Sequence, residues 1–377
     1  MSDRLHIADF LIPLNKPLLS NDRGYKEGQV GFAIEAYEDE MPDLEQANIV
    51  FIGCGEQRGA GIKAGSDAAD EIRKEFYNLY YWHQDIRLAD LGNIKLGKEL
   101  NDTYAALKIV VNELVSIGKT VVILGGSHDL TLAQYNAFVE NKKPIEAVGV
   151  DAFIDINIDS LLRKENFLME MLTSEPNYMK HYNHLAFQSF FMHPRMLETM
   201  DKLRFDCFRV GTVKEEIEEM EPVIRNCQLF SFDVSAIAHA YAPSNHASPN
   251  GLTGEEACTL LQYAGMSSQV KTIGIYGYKP EDDKETLTAK QISHMLWYLI
   301  DGKSRCTREA LLEDKGNFNE YTTAFAEVET LFMQSKKTGR WWMQMPDKKF
   351  IACSYKDYQT ASSNEYPERW LRAQERS

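Results

Sequence analysis

The chain predicts a single α/β domain, three layers deep and built on a mostly parallel β-sheet. Short apolar runs recur along the sequence, amphipathic helical patterns separate most of them, and polar blocks bearing His and Asp follow several runs directly. Strands that alternate with helices imply βαβ crossovers, because parallel neighbours need a long connection.

The strand candidates are residues 47–52, 120–124, 145–150, 207–210, 228–232 and 271–276. Ser66 is placed to cap a helix running to about residue 81, with Asp67, Asp70 and Glu71 favourable at its positive N-terminal end. Between 98 and 117, Leu100, Tyr104, Leu107, Val111, Leu114 and Val115 follow helical spacing, and Gly118 stands where a C-terminal cap would. Residues 288–299 repeat that pattern. The stretch 161–195 is polar, rich in Asn, His, Tyr and Met and without a firm period, and reads as a helical insertion. After Gly302 the alternation fades, and a tail with Trp341, Trp342 and Trp370 is expected to pack on the domain or on a neighbouring subunit. The organisation that follows is an N-terminal extension (1–47) packing on the core, an α/β domain (48–302) and a C-terminal extension (303–377).

With 377 residues, 44% of them apolar, the chain can bury a sizeable core. A net charge of −15 repels phosphate backbones and anionic membranes, so neither nucleic acid nor a membrane is an expected partner. No run of about 18 uncharged apolar residues is present, and the first six residues lack the apolar core of a secretory signal, which places the protein in the cytoplasm. Six widely spaced cysteines with no C-x-x-C pair read as reduced, mostly buried thiols.

Three blocks carry chemistry: Gly125-Gly126-Ser127-His128-Asp129, Asp151-Ala152-Phe153-Ile154-Asp155 and Ser231-Phe232-Asp233-Val234-Ser235. Each follows a strand candidate, and ligands of open α/β sheets bind beyond the C-terminal ends of strands. His128, Asp151, Asp155 and Asp233 offer the imidazole and carboxylate mixture that suits Mn2+. An isolated Asp after a strand is more often a turn or cap former; the joint order of the blocks is what lifts them above that reading.

Order and content of the blocks resemble the ureohydrolase family of arginases, agmatinases and formiminoglutamases, whose paired manganese ions are held by GG-x-H-x, D-A-H-x-D and S-F-D-V-D. The resemblance runs over roughly residues 48–302 and implies the arginase/deacetylase-like three-layer fold, an oligomer (trimer or hexamer), and a linear amidine or guanidine as substrate. It assigns His128, Asp151, Asp155 and Asp233 to one metal, with Asp155 also acting catalytically on the attacking water. It assigns Asn157, in the family's D-I-N stretch, to the substrate. The second metal's private ligands fall on Phe153 and Ser235, and the family's substrate-binding glutamate falls on Gly277. One Mn2+ is therefore expected more readily than two, and an inactive binding or assembly protein of the same fold is the alternative. Single-zinc deacetylase chemistry is disfavoured, because its ion needs the D-x-H pair that Phe153 breaks. His128 followed by the acidic Asp129 is closer to the formiminoglutamase pattern G-G-G-H-E than to the arginase pattern. His239 and His246 are candidates to replace a lost ligand, against the commoner role of loop histidines.

Overall fold

A computed structural model describes residues 7–20, 24–325 and 328–376. Residues 1–6, on which the absence of a leader was read, lie outside the described residues. The strands are β1 (Leu11–Ile12), β2 (Glu35–Ala36), β3 (Ile49–Gly53), β4 (Leu88–Ile94), β5 (Thr120–Leu124), β6 (Ile145–Val150), β7 (Met179–Phe187), β8 (Asp206–Arg209), β9 (Leu229–Asp233) and β10 (Thr272–Tyr276), followed by β11 (Phe318–Phe325), β12 (Val328–Ser335), β13 (Trp341–Gln344) and β14 (Phe350–Cys353). The first ten form one sheet in the order β1-β4-β3-β5-β10-β9-β6-β7-β8, with β2 also on β4. Its pairings are parallel except that of β1 with β4.

The apolar runs are nearly continuous because both faces of these strands are covered. Ile49, Phe51, Val122, Leu124, Phe230 and Phe232 belong to one core with helices Ala68–Phe76, Gly254–Met266 and Leu287–Thr307. Val50, Ile52, Val121, Ile123 and Leu229 belong to the other, with helices Leu100–Ser116, Thr131–Glu140 and Phe167–Thr173. Alternate residues of each strand thus feed opposite faces, which is the three-layer αβα arrangement.

Several expectations change. Residues 161–195 are not a helical insertion: after helix Phe167–Thr173 they supply β7, an internal strand of the sheet. Its sequence hides this because its polar side chains are buried with partners of their own. His181 Nε2 meets Asp206 Oδ2 at 3.1 Å, and the Tyr182 hydroxyl meets His184 Nδ1 at 3.1 Å. The strand β4 was also passed over, since Asp90 interrupts it. Asp90 is buried and takes the Arg73 guanidinium bidentately at 2.8 Å together with the Tyr77 hydroxyl at 2.8 Å. The N-terminal segment does more than pack on the core, because β1 and β2 join the sheet through β4. The helix after Ser66 is shorter than its pattern, spanning Ala68–Phe76.

Beyond residue 307 the chain forms a second, antiparallel sheet, β11-β12-β13-β14, around Phe325, Phe332, Trp341, Met343 and Trp370. It is fastened to the main domain by Arg225, whose Nη1 donates to the Trp341 carbonyl at 2.7 Å while its guanidinium lies 4.5 Å from the Trp342 ring centre. Arg372 and Arg376, on or just after the last helix, both pair with Asp206 of the edge strand β8, which ties the tail to that side of the sheet. Of the six cysteines, Cys54, Cys227, Cys258 and Cys353 are buried, and none is disulfide-bonded. Among the described residues no helix is long and apolar enough to cross a membrane.

Breaking a buried ion pair leaves one charge stranded, which costs about 3–5 kcal/mol. Arg73→Leu is expected to lower unfolding stability in urea by that amount. The double variant Arg73→Met with Asp90→Leu should cost far less, and equal losses in the two would show that the pair is not the source.

Candidate metal centre

The three blocks lie at the C-terminal ends of β5, β6 and β9, and Gly277 follows β10; these four strands are adjacent in the order β5-β10-β9-β6. Between β5 and β6 the chain skips two strand positions, which opens the crevice where ligands of such sheets bind.

His128, Asp151 and Asp233 each present a donor atom within 4.8 Å of the others. His128 Nδ1 lies 2.7 Å from Asp151 Oδ2 and 3.1 Å from Asp155 Oδ2, so Asp155 stands beside the group, reaching it through the histidine. The other ring nitrogen, Nε2, meets the Ser231 hydroxyl at 2.8 Å, and that oxygen is 2.6 Å from the Thr131 hydroxyl. The imidazole is thereby fixed with Nδ1 toward the carboxylates. Burial works against a charged imidazole, but the hydrogen bond and charge of Asp151, the hydrogen bond of Asp155 and the charge of Asp233 prevail and raise the His128 pKa well above its usual value. Burial, reinforced by the charge of Asp151, raises Asp155 strongly and Asp233 to a lesser degree. Asp151 goes the other way: burial is outweighed by His128 and by hydrogen bonds from Ser235 and Phe153, and its carboxyl is held below the usual range.

At the positions where the sequence is expected to depart from the family pattern, the Ser235 hydroxyl donates to Asp151 Oδ1 and its amide donates to Asp233 Oδ1 at 2.8 Å. Phe153 donates its amide to Asp151 Oδ1 at 3.0 Å, while its ring stacks on Phe191 with centroids 4.6 Å apart. Gly277 has φ +79°, and a Cβ built there would lie 2.6 Å from Asp233 Oδ2. The position therefore has no room for the family's acid while Asp233 stays in place. Asn157 is half-buried and accepts from the Asp159 amide at 3.3 Å. His239 contacts the Asn245 carbonyl at 2.8 Å and His246 pairs with Asp282 at 3.1 Å, so neither joins the cluster.

Sequence reasoning missed His184. Its Nε2 donates to the Asp151 carbonyl at 3.1 Å, and burial depresses its pKa to about 4, which keeps the ring neutral. Two histidines three apart in a polar stretch, His181 and His184, were the available signal. Asp129, next to His128, is buried and accepts from the Tyr104 hydroxyl. A cavity of about 930 Å3 lies elsewhere, between His181, Asn183 and Asp206 of the main sheet and Arg369 and Arg372 of the tail; none of the four ligand candidates lines it.

Comparison with known proteins agrees with this geometry. The arginase family model matches residues 47–301, so the chain belongs to the arginase family. It is 20% identical over 284 residues to the formimidoylglutamase of Macrococcus caseolyticus, covering 71% of this chain and 89% of that one. The fold is shared with the Trypanosoma cruzi formiminoglutamase determined with Mn2+ (TM-score 0.63, 18% identity, 69% of this chain and 94% of the other). It is also shared with the Bacillus subtilis formimidoylglutamase (TM-score 0.64, 19% identity, 75% and 93%).

Two glycines separate backbone strain from crowding. Gly118, φ +80°, has open space around its missing side chain, whereas Gly277 faces Asp233. Gly118→Ala should cost about 1–2 kcal/mol, the left-handed backbone penalty, and Gly277→Ala measurably more by chemical denaturation. Equal costs would show that Asp233 gives way freely.

Proposed function

We propose that this chain hydrolyses a C–N bond of a linear amidine or guanidine with the help of one divalent ion, Mn2+ being the fitting choice, held by His128, Asp151, Asp155 and Asp233. The convergence of His128, Asp151 and Asp233 donor atoms within 4.8 Å carries the reading. Family membership and the likeness to formimidoylglutamases, one of them determined with Mn2+, support the reaction class and the ion.

Hard oxygen donors with a single imidazole suit this ion. A second one is poorly served: Phe153 has no lone pair to offer, and Ser235 brings a neutral hydroxyl already committed to Asp151. When bound, the ion supplies Lewis acidity and a template for water and substrate. The residues themselves manage protons. Burial and the charge of Asp151 raise the Asp155 pKa, which makes its Oδ2, 3.1 Å from His128 Nδ1, a better base for receiving a proton from water and returning it to the departing nitrogen. Asn157 has Oδ1 engaged by Asp159, which leaves its amide Nδ2 to donate to substrate.

The second reading is a pseudoenzyme that kept the fold as a binding or assembly protein. The Gly277 contact favours it, since an acid holding a guanidinium from there would have to displace the Asp233 carboxylate.

Elemental analysis after Mn2+ loading should give about one ion per chain, lost in Asp151→Ala. Two ions would overturn the single-site reading, and none would leave the binding protein. Nδ1 of His128 must lose its proton to ligate, and its pKa is raised above 6.5, so uptake should release a proton and Mn2+ affinity should climb with pH above that value. An affinity flat with pH counts against His128 as a ligand. Release of ammonia, formamide or urea from formimino and guanidino compounds should vanish in Asp233→Asn with folding intact; undiminished turnover would sink the hydrolase.

A further inference from the structure

From the metal centre toward the surface runs a ladder of three aromatic rings. Phe153 is tied by its own amide to Asp151 at 3.0 Å, so its backbone position relative to the carboxylates is fixed. Its half-buried ring lies nearly parallel to Phe191, at 4.6 Å and 18°. The rings of Phe191 and Phe190 meet T-shaped at 4.7 Å and 73°, and Phe190 is 70% exposed. Exposed phenylalanines are ordinary when single. A phenylalanine stack that starts two residues from a buried carboxylate is not explained by the core, and neither ring belongs to the buried clusters of the main domain.

The electrostatics say what such a wall would meet. Asp151, Asp155 and Asp233 gather three carboxyl groups around one imidazole, a surround that favours a positive ligand over a neutral one. At Gly277, where the resemblance puts the acid that would grip such a ligand, there is no carboxylate, and any side chain would have to displace Asp233. A flat delocalised cation that cannot be held by a carboxylate can be held over an aromatic face, where the ring quadrupole attracts it.

We propose that the Phe153–Phe191 stack is the substrate platform of this chain, and that it takes a planar amidinium or guanidinium carrying an aromatic or other apolar substituent, with Phe190 extending the platform outward. This rests on the hydrolase reading for its location, yet it is a statement about binding and can be tested without turnover.

The probe is benzamidinium, with the isosteric neutral benzamide as its control, titrated calorimetrically into the full chain loaded with Mn2+. Benzamidinium should bind at least tenfold tighter than benzamide. Phe191→Leu should weaken it roughly fivefold to thirtyfold, Phe191→Tyr should retain it, and Mn2+ stoichiometry should be unchanged in both. Equal affinity for the two probes, or undiminished benzamidinium binding in a folded Phe191→Leu, overturns the platform. Failure is separable from that of the metal reading: Mn2+ bound without benzamidinium removes the platform alone, and benzamidinium bound without Mn2+ removes the metal site alone.

Discussion

A carboxylate buried at the end of a parallel strand has to be neutralised by what surrounds it, and the strand ends of this protein are organised by that requirement at Asp151. Its side chain takes His128 Nδ1 at 2.7 Å, the Phe153 amide at 3.0 Å and the Ser235 hydroxyl. Its backbone is held as firmly: the amide donates to the Leu185 carbonyl at 3.1 Å, and the carbonyl accepts from His184 Nε2 at 3.1 Å. One residue therefore links β5, β6, β7 and β9, and its charge is also what raises the carboxyls of Asp155 and Asp233. Phe153 and Ser235, the positions where the resemblance expects metal ligands, both donate hydrogen bonds to Asp151 and so help satisfy the buried carboxylate.

The fold was legible wherever burial on both faces left a plain apolar signature. Residues 120–124 and 145–150 were read with the boundaries of β5 and β6, and the blocks that follow them could be placed at strand ends without coordinates. Reading failed where a strand contains polar groups satisfied by distant partners. The Asp90 of β4 depends on Arg73, and the His181 and His184 of β7 depend on Asp206 and Asp151, pairings that no local window contains. A polar residue in a strand looks like a loop until its partner is known.

The site was legible in part for the same reason. His128, Asp151 and Asp233 follow apolar strands and could be located from the sequence, whereas the groups that orient them could not. Ser231 appeared only as the first letter of a block, yet it is the residue that fixes the ring of His128. The tail posed a different difficulty. Residues 318–325 are mostly exposed between Phe318 and Phe325, so the strand has few core contacts to advertise it, and its sheet is held by Arg225, far away in sequence.

The glycine after β10 limits how the site can be altered. With φ at +79° and the Asp233 carboxylate filling the space where a Cβ would go, position 277 no longer accepts any side chain without movement of a residue at the heart of the centre. A larger residue at 277 therefore calls for a second change elsewhere, one that lets Asp233 move aside and still keeps its place beside His128.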